Sequence, residues 1–177
     1  MLNIFVNTWG NYNENGADGG EWITLPMDPD ELQNKLKAIA EAMHDNDPEF
    51  CIHDYEFTGE IELGDVSEMD SITEWNERCN EAAALEEYEL EEIAAAMEAF
   101  GYTFQEAMER QQRGCYIFFS GQTLEDVAYE LAEEMLACSG CKNVPDIFTR
   151  YFDHEAFARD LRFDGYTETK YGVILDN

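Results

Sequence analysis

The chain has 177 residues, 40 of them acidic and 10 basic, for a net charge of −30. With 45% hydrophobic and 13% aromatic residues it carries enough apolar side chain to bury a core, which excludes an acidic disordered polymer. So negative a surface makes nucleic acid and anionic membranes poor partners and a basic protein a suitable one.

The strand-rich start is "LNIFVNTW" (residues 2–9), followed by "GNYNENGADGG", which reads as a long polar loop. "EWITLP" reads as a second strand. In "MDPDELQNKLKAIAEAM", Asp28 as N-cap, Pro29 at the first helical position and Glu31 two residues later predict a helix. Its apolar stripe is Leu32, Leu36, Ile39 and Met43. "FCIHDYEF" is a third strand. Between Gly64 and Gly101 there is neither glycine nor proline, and alanine, glutamate and leucine predict helix, as one rod or as two with a break near Asn80. Thr103 and Glu106 form a capping box for the next helix, which Gly114 ends. "CYIFFSG" is a strand, and Thr123 with Asp126 opens the helix "LEDVAYELAEEML". "NVPDIFTRYF" reads as a turn and a short helix, Asp153 caps "HEAFARDL", and "GYTETKYGVIL" closes as two short strands. Strands and helices mix without βαβ regularity, so the expected class is α+β. Three small subdomains are expected: a sheet with one helix over 1–63, an acidic helical middle over 64–113, and a mixed C-terminal part over 114–177.

Charge is spread along all three parts, at net −11 for residues 1–60, −12 for 61–113 and −7 for 114–177. The stretch "EEYELEE" (86–92) packs five glutamates with no base, where like charges at i,i+4 repel. Leu90, Ile93, Met97 and Phe100 would form its buried stripe, with Glu87, Glu91 and Glu98 along one flank. Farther on, Leu124, Val127, Leu131 and Met135 share a face, and Asp126, Glu130, Glu133 and Glu134 lie away from it with no base between Arg113 and Lys142. An ordinary solvated helix face has these features as well, but solvated faces usually alternate sign. Duplex DNA carries one charge per ~1.7 Å, so thirty charges would match roughly 50 Å of duplex. Carboxylates at i,i+4 stand ~6 Å apart along a helix, so several helices must contribute to any such match.

Other chemistry is weakly signalled. "NYNENGADGGEW" approaches a calcium loop with Asn11, Asn13, Asn15 and Gly16, but Trp22 stands where a bidentate glutamate is required. Cys138 and Cys141 form a C-x-x-C without a second pair, short of a four-ligand zinc site. His44, His53 and His154 form no triad or i,i+4 pair, and His53 reads as structural. No cofactor, metal or catalytic residue is expected. The N-terminus shows no basic region before a long apolar run, and no stretch approaches the ~20 apolar residues of a membrane span. Five unframed cysteines fit reduced thiols in a cytoplasm.

Three stretches, "GNYNENGADGGEWITLP", "CIHDYE" and "NVPDIFTRYFDHEAFARDLRFDG", in this order and spacing, resemble the ArdA family of antirestriction proteins. The resemblance covers nearly the whole chain and is most specific over 143–165. It implies a non-enzymatic DNA mimic, borne on a mobile genetic element and acting in a bacterial cytoplasm. Such a protein is an elongated homodimer of three small domains per chain that occupies the DNA-binding groove of type I restriction–modification enzymes. The phosphate-mimicking candidates are then Glu62, Asp65, Glu68, Asp70, Glu74, Glu77, Glu81, Glu86, Glu87, Glu91, Glu92, Glu98, Asp126, Glu130, Glu133 and Glu134. The family's antirestriction motif, with the implied dimer contact, falls on Val144, Pro145, Tyr151, Phe152, Asp153, Arg159, Asp160, Leu161 and Gly165. Ile147, Phe148, Tyr151 and Phe152 form an apolar ridge there, suited either to an intramolecular core or to a two-fold contact. Phe152–Asp153–His154 departs from the more usual Ile-Asp-Tyr, and Ala158 stands where glycine is common. The alternative function is an acidic chaperone or inhibitor of another basic DNA-binding protein.

Overall fold

A computed structural model describes residues 1–138 and 151–177. The described residues form two compact units, Met1–Glu86 and Glu87–Asn177. The fold is α+β, with two three-stranded antiparallel sheets and seven helices among the described residues. The helical middle expected over 64–113 is divided between the units.

In the first unit β1 (Leu2–Thr8) is the central strand, flanked by β2 (Glu21–Leu25) and β3 (Phe50–Phe57) in the order β2-β1-β3. Alternation sends Leu2, Ile4, Val6, Ile23 and Leu25 to the buried face. The register of β1 against β3 shifts between Phe5 and Val6, leaving His53 as an extra residue on β3. Helix α2 (Pro29–Ala42) starts as the sequence dictates, with Asp28 accepting from the amides of Asp30 and Glu31. Leu32, Leu36 and Ile39 are buried and Met43 is half-buried.

Residues 10–20, expected as a loop throughout, are only in part a loop. Trp9–Asn15 is a helix, α1, because Thr8 caps it by accepting from the Asn11 amide and an amide ladder runs along one side. In that ladder Asn15 Nδ2 donates to Asn11 Oδ1 and Asn11 Nδ2 donates to Asn7 Oδ1, each at 2.9 Å. Asparagine is a poor helix former, but here its side chains bond to one another at i,i+4. Putting Asn11, Asn13 and Asn15 on a helix also removes the calcium-loop geometry.

Nor does helix run from Gly64. It begins at Ile72 with α3 (Ile72–Ala83), where Ser71 is the N-cap, and breaks over 84–86 rather than near Asn80. Buried Asn76 fastens α3 to the β2–α2 connection, accepting from the Met27 amide at 2.8 Å and donating to its carbonyl at 2.9 Å.

The second unit opens with α4 (Glu87–Phe100) and α5 (Phe104–Gln112), the latter carrying the expected Thr103–Glu106 capping box. The sheet order is β4-β6-β5, from Tyr116–Ser120, Gly172–Asp176 and Thr167–Thr169. Both faces of this sheet are covered. Phe118, opposite Ile174, meets Tyr88 of α4 at 5.4 Å between ring centroids. Phe119, opposite Val173, faces the cluster made with α6 (Leu124–Cys138) and α7 (His154–Phe163). That cluster contains Leu124, Val127, Ala128, Ala158, Leu161 and Val173.

Two apolar stripes differ from their expected position. In α6 the buried positions include Ala128 and Ala132, whereas Met135 is 63% exposed, so the packed face is rotated toward the alanines. In α4, Ile93, Ala94, Ala95 and Ala96 are buried and Leu90, Met97 and Phe100 only half-buried, because this helix lies between the sheet and α5 and is covered on two sides.

Candidate functional site

None of the described acidic side chains is buried. Of the sixteen candidate carboxylates, thirteen are exposed and Asp70, Glu91 and Glu92 are half-buried. Glu62, Asp65 and Glu68 lie on the irregular segment before α3, and Glu74, Glu77 and Glu81 follow one another along the exposed side of α3. Glu86 precedes α4, Glu87 opens it, and Glu98 lies near its end. Asp126, Glu130, Glu133 and Glu134 are exposed on α6.

Exposure and availability differ, because several of these groups accept hydrogen bonds within the fold. Asp70 Oδ2 accepts from the Trp75 indole and from the Ser67 amide, both at 2.9 Å. Glu91 accepts from the Ser120 hydroxyl at 2.7 Å, and Glu98 from the Lys170 amide at 3.2 Å. Burial pushes the Glu92 carboxyl above the usual glutamate range, with Glu89 adding to the effect and a bond to Gln111 opposing it. Asp126 accepts from the hydroxyl and the amide of Thr123 at the start of α6, and these bonds hold its carboxyl below the usual range. Glu130 accepts from Gln122 at 3.2 Å. Glu133 accepts from Tyr129, a bond that raises the phenol above its ordinary value. Asp70, Glu91 and Asp126 thus take part in the fold as well as in its charge.

Seven of the eight described bases are held too. Lys35 pairs with Glu21, Lys37 with Glu41, Arg110 with Asp176, Arg113 with Glu109 and Arg162 with Glu168. These acids all lie outside the sixteen. Arg78 lies 4.1 Å over the Trp75 ring and Lys170 4.9 Å over Tyr171.

Of the motif and ridge residues, Val144, Pro145, Ile147 and Phe148 lie outside the described residues, as do the helix expected in "NVPDIFTRYF", the Cys138 side chain and Cys141. Tyr151 is 80% exposed and Phe152 39%, the latter with its ring 4.8 Å from His154 and 5.6 Å from Phe157. Asp153 accepts from the Ala156 amide at 2.9 Å, capping α7 as expected. Leu161 is buried in the α6–α7 core, and Gly165 turns the chain out of α7 at φ +99°, where an added Cβ would stand 3.1 Å from Leu175 Cδ1. Asp160 is exposed, and Arg159 lines a cavity of about 420 Å³ with Arg162, Glu125, Glu155 and Glu168.

His53 rests against Tyr12 at 4.1 Å between ring centroids and meets Trp9 edge-on, with Nε2 3.3 Å from Cys51 Sγ. One histidine and one thiol are too few for a metal, and no group of three or more metal-ligating side chains occurs among the described residues. No described helix is long and apolar enough to cross a membrane.

Every candidate carboxylate expected from the sequence lies beyond residue 61. The first unit also exposes Glu14, Asp18, Asp47, Asp54 and Glu56. Its net charge of −11 over residues 1–60 was the available signal.

Among curated proteins no match to the chain was found. A family model described as "Antirestriction protein (ArdA)" matches residues 4–175, which is nearly the full length. Every described element except the final residue of β6 and part of the first strand's start falls inside that match, and the chain therefore belongs to the ArdA antirestriction protein family.

Proposed function

We propose that the chain inhibits type I restriction–modification enzymes by mimicking DNA. Its carboxylates enter the DNA-binding groove and stand in for phosphates against lysine and arginine, so no catalytic residue is needed. The supporting observation is the distribution of charge: thirteen exposed candidate carboxylates spread over the segment before α3, α3, the α3–α4 break, α4 and α6, while the acids of the five ion pairs named above lie outside the sixteen. A second copy, joined through the C-terminal motif, doubles the length of acidic surface offered. The site of action is the cytoplasm of a bacterial host, where the enzyme and its DNA meet.

Such binding is a sum of many contacts between exposed charges, which salt screens over about 10 Å at 0.1 M and about 3 Å at 1 M. A labelled duplex bound to a purified type I enzyme should be displaced by the chain at low salt and much less at high salt. Restriction and methylation should be inhibited together, since both need DNA in the groove. Neutralising Glu74, Glu77 and Glu81 together, or Glu130, Glu133 and Glu134 together, should weaken displacement in graded steps. Unchanged DNA binding at low salt in the presence of excess chain would refute the mimicry.

A further inference from the structure

The sheet of the first unit has a second face that the candidate carboxylates do not include. Residues directly opposite one another on paired strands project to the same side. Phe5 stands opposite both Trp22 and Asp54, and Asn3 stands opposite both Thr24 and Glu56. Two rows of three therefore cross the face turned away from buried Leu2, Ile4 and Val6. Trp22 is 48% exposed, and Thr24, Asp54 and Glu56 are exposed. The Trp22 ring is held at 5.5 Å and 56° against Phe5, whose own ring leaves no room for a side chain at Gly20: an added Cβ there would fall 2.4 Å from Phe5 Cζ. Thr24 donates to Asn3 at 2.7 Å, so the second row is also fixed. Neither row contains a lysine or arginine.

We infer that this face is an arginine-binding surface, on which a guanidinium of the partner protein stacks on Trp22 and donates to the carboxylate of Asp54 or Glu56. The inference rests on the reading above that the partner is a basic protein, and it names the residue type read at one place. Arginine fits because its planar, weakly hydrated cation stacks on an indole while its N–H groups still reach a carboxylate. A lysine ammonium is compact and strongly hydrated and gains less from the ring. A nucleic-acid base also stacks on an aromatic sheet face, but its phosphates would then approach Asp54 and Glu56.

The test uses the full chain and follows the Trp22 indole N–H resonance while hexa-arginine, hexa-lysine or oligothymidylate is added. Hexa-arginine should shift that resonance and bind more tightly than hexa-lysine. Trp22→Ala, its binding followed by the backbone amide resonances of β2 and β3 instead, should weaken hexa-arginine binding by about two- to fivefold, the size of an exposed cation–π contact, and leave hexa-lysine binding nearly unchanged. Asp54→Asn with Glu56→Gln keeps the indole as reporter and should reduce its response to hexa-arginine, so the inference stays testable if Trp22→Ala fails to fold. Equal binding of the two peptides with no dependence on Trp22 overturns the inference, and so does a larger Trp22 shift with oligothymidylate. A failure here is distinct from a failure of the mimicry: if wild type and Trp22→Ala displace DNA from the enzyme equally well, only the arginine site is lost.

Discussion

Leu161→Ala separates two meanings of a motif position, a contact with a partner or a part of the core. The side chain is 4% exposed and sits among Leu124, Val127, Ala128, Ala158 and Val173, with Phe119, Phe157 and Tyr166 packed around them. Removing three carbons here leaves a void that two of its neighbours, both alanines, cannot refill. Leu→Ala substitutions in such sites cost about 2.7–5.0 kcal/mol, and the poor prospects for collapse place this one at about 3–4 kcal/mol. A unit of about 90 residues has a stability of about 5–14 kcal/mol, so the loss is a large fraction of the whole. At about 4–8 °C per kcal/mol the transition should fall by more than about 10 °C. Indole fluorescence does not report it, because Trp9, Trp22 and Trp75 all lie in the first unit. Amide hydrogen exchange across α6 and α7 does, and those amides should lose protection. Exposed Arg159→Ala should stay within about 0.5 kcal/mol of wild type. A cost below about 1 kcal/mol for Leu161→Ala, or a similar cost for both variants, would refute the assignment of Leu161 to the core.

Three further outcomes are expected. The folded chain holds the Glu92 proton more tightly than the unfolded chain does, so this group stabilises at low pH and its contribution falls as pH rises through the ordinary glutamate range and above. Glu92→Gln should therefore raise the thermal midpoint at pH 7 and change it little at about pH 3.5, as scanning calorimetry would register. Asn7 is fully buried, with Oδ1 accepting from the Thr8 amide and from Asn11, and Nδ2 donating to the Gly16 carbonyl. Asn7→Ala should cost about 1–3 kcal/mol in urea unfolding and expose the amides of residues 9–15 to exchange. Burial, followed by the charge of Glu68, pushes the Cys51 thiol up to about 11, so native-state alkylation at pH 8 followed by mass spectrometry should leave it unmodified.

The parts of the fold that could be read from sequence are those decided locally. Asp28 with Pro29, Thr103 with Glu106 and Asp153 each act within one turn of the helix they start, and all three do what their spacing predicts. The β3 strand spans the residues expected because Phe50, Ile52, Tyr55 and Phe57 favour strand over a run that holds no glycine or proline. What failed depends on partners distant in sequence or on composition that misleads. Asparagine and glycine point to a loop over 10–20, yet buried Asn7 on β1 anchors an amide ladder that stabilises a helix over Trp9–Asn15. Met135 follows the periodic pattern of α6, but α7 packs where Ala128 and Ala132 allow close approach, leaving the longer side chain outside. Likewise Glu91 reads as one of a row, and only the fold brings Ser120 of β4 to its carboxylate.

The placement of acids along the helices explains how so much like charge is tolerated. Helix N-termini carry partial positive charge and favour carboxylates in the first turn. Glu74 in α3, Glu87 and Glu89 in α4, and Glu125 and Asp126 in α6 occupy such positions. Each of these clusters therefore has part of its mutual repulsion offset by the helix it begins, which is how "EEYELEE" can open α4. The opposite ends forgo the matching benefit: α2, α3, α4 and α6 have no base in the last turn. Where a last turn does hold one, in α5 and α7, Arg110 is paired with Asp176 and Arg162 with Glu168. The fold thus gains from acids where dipoles favour them and withholds bases where dipoles would favour those. On the mimicry proposed above, helix ends whose last turns carry no base of their own favour cations supplied by a basic partner.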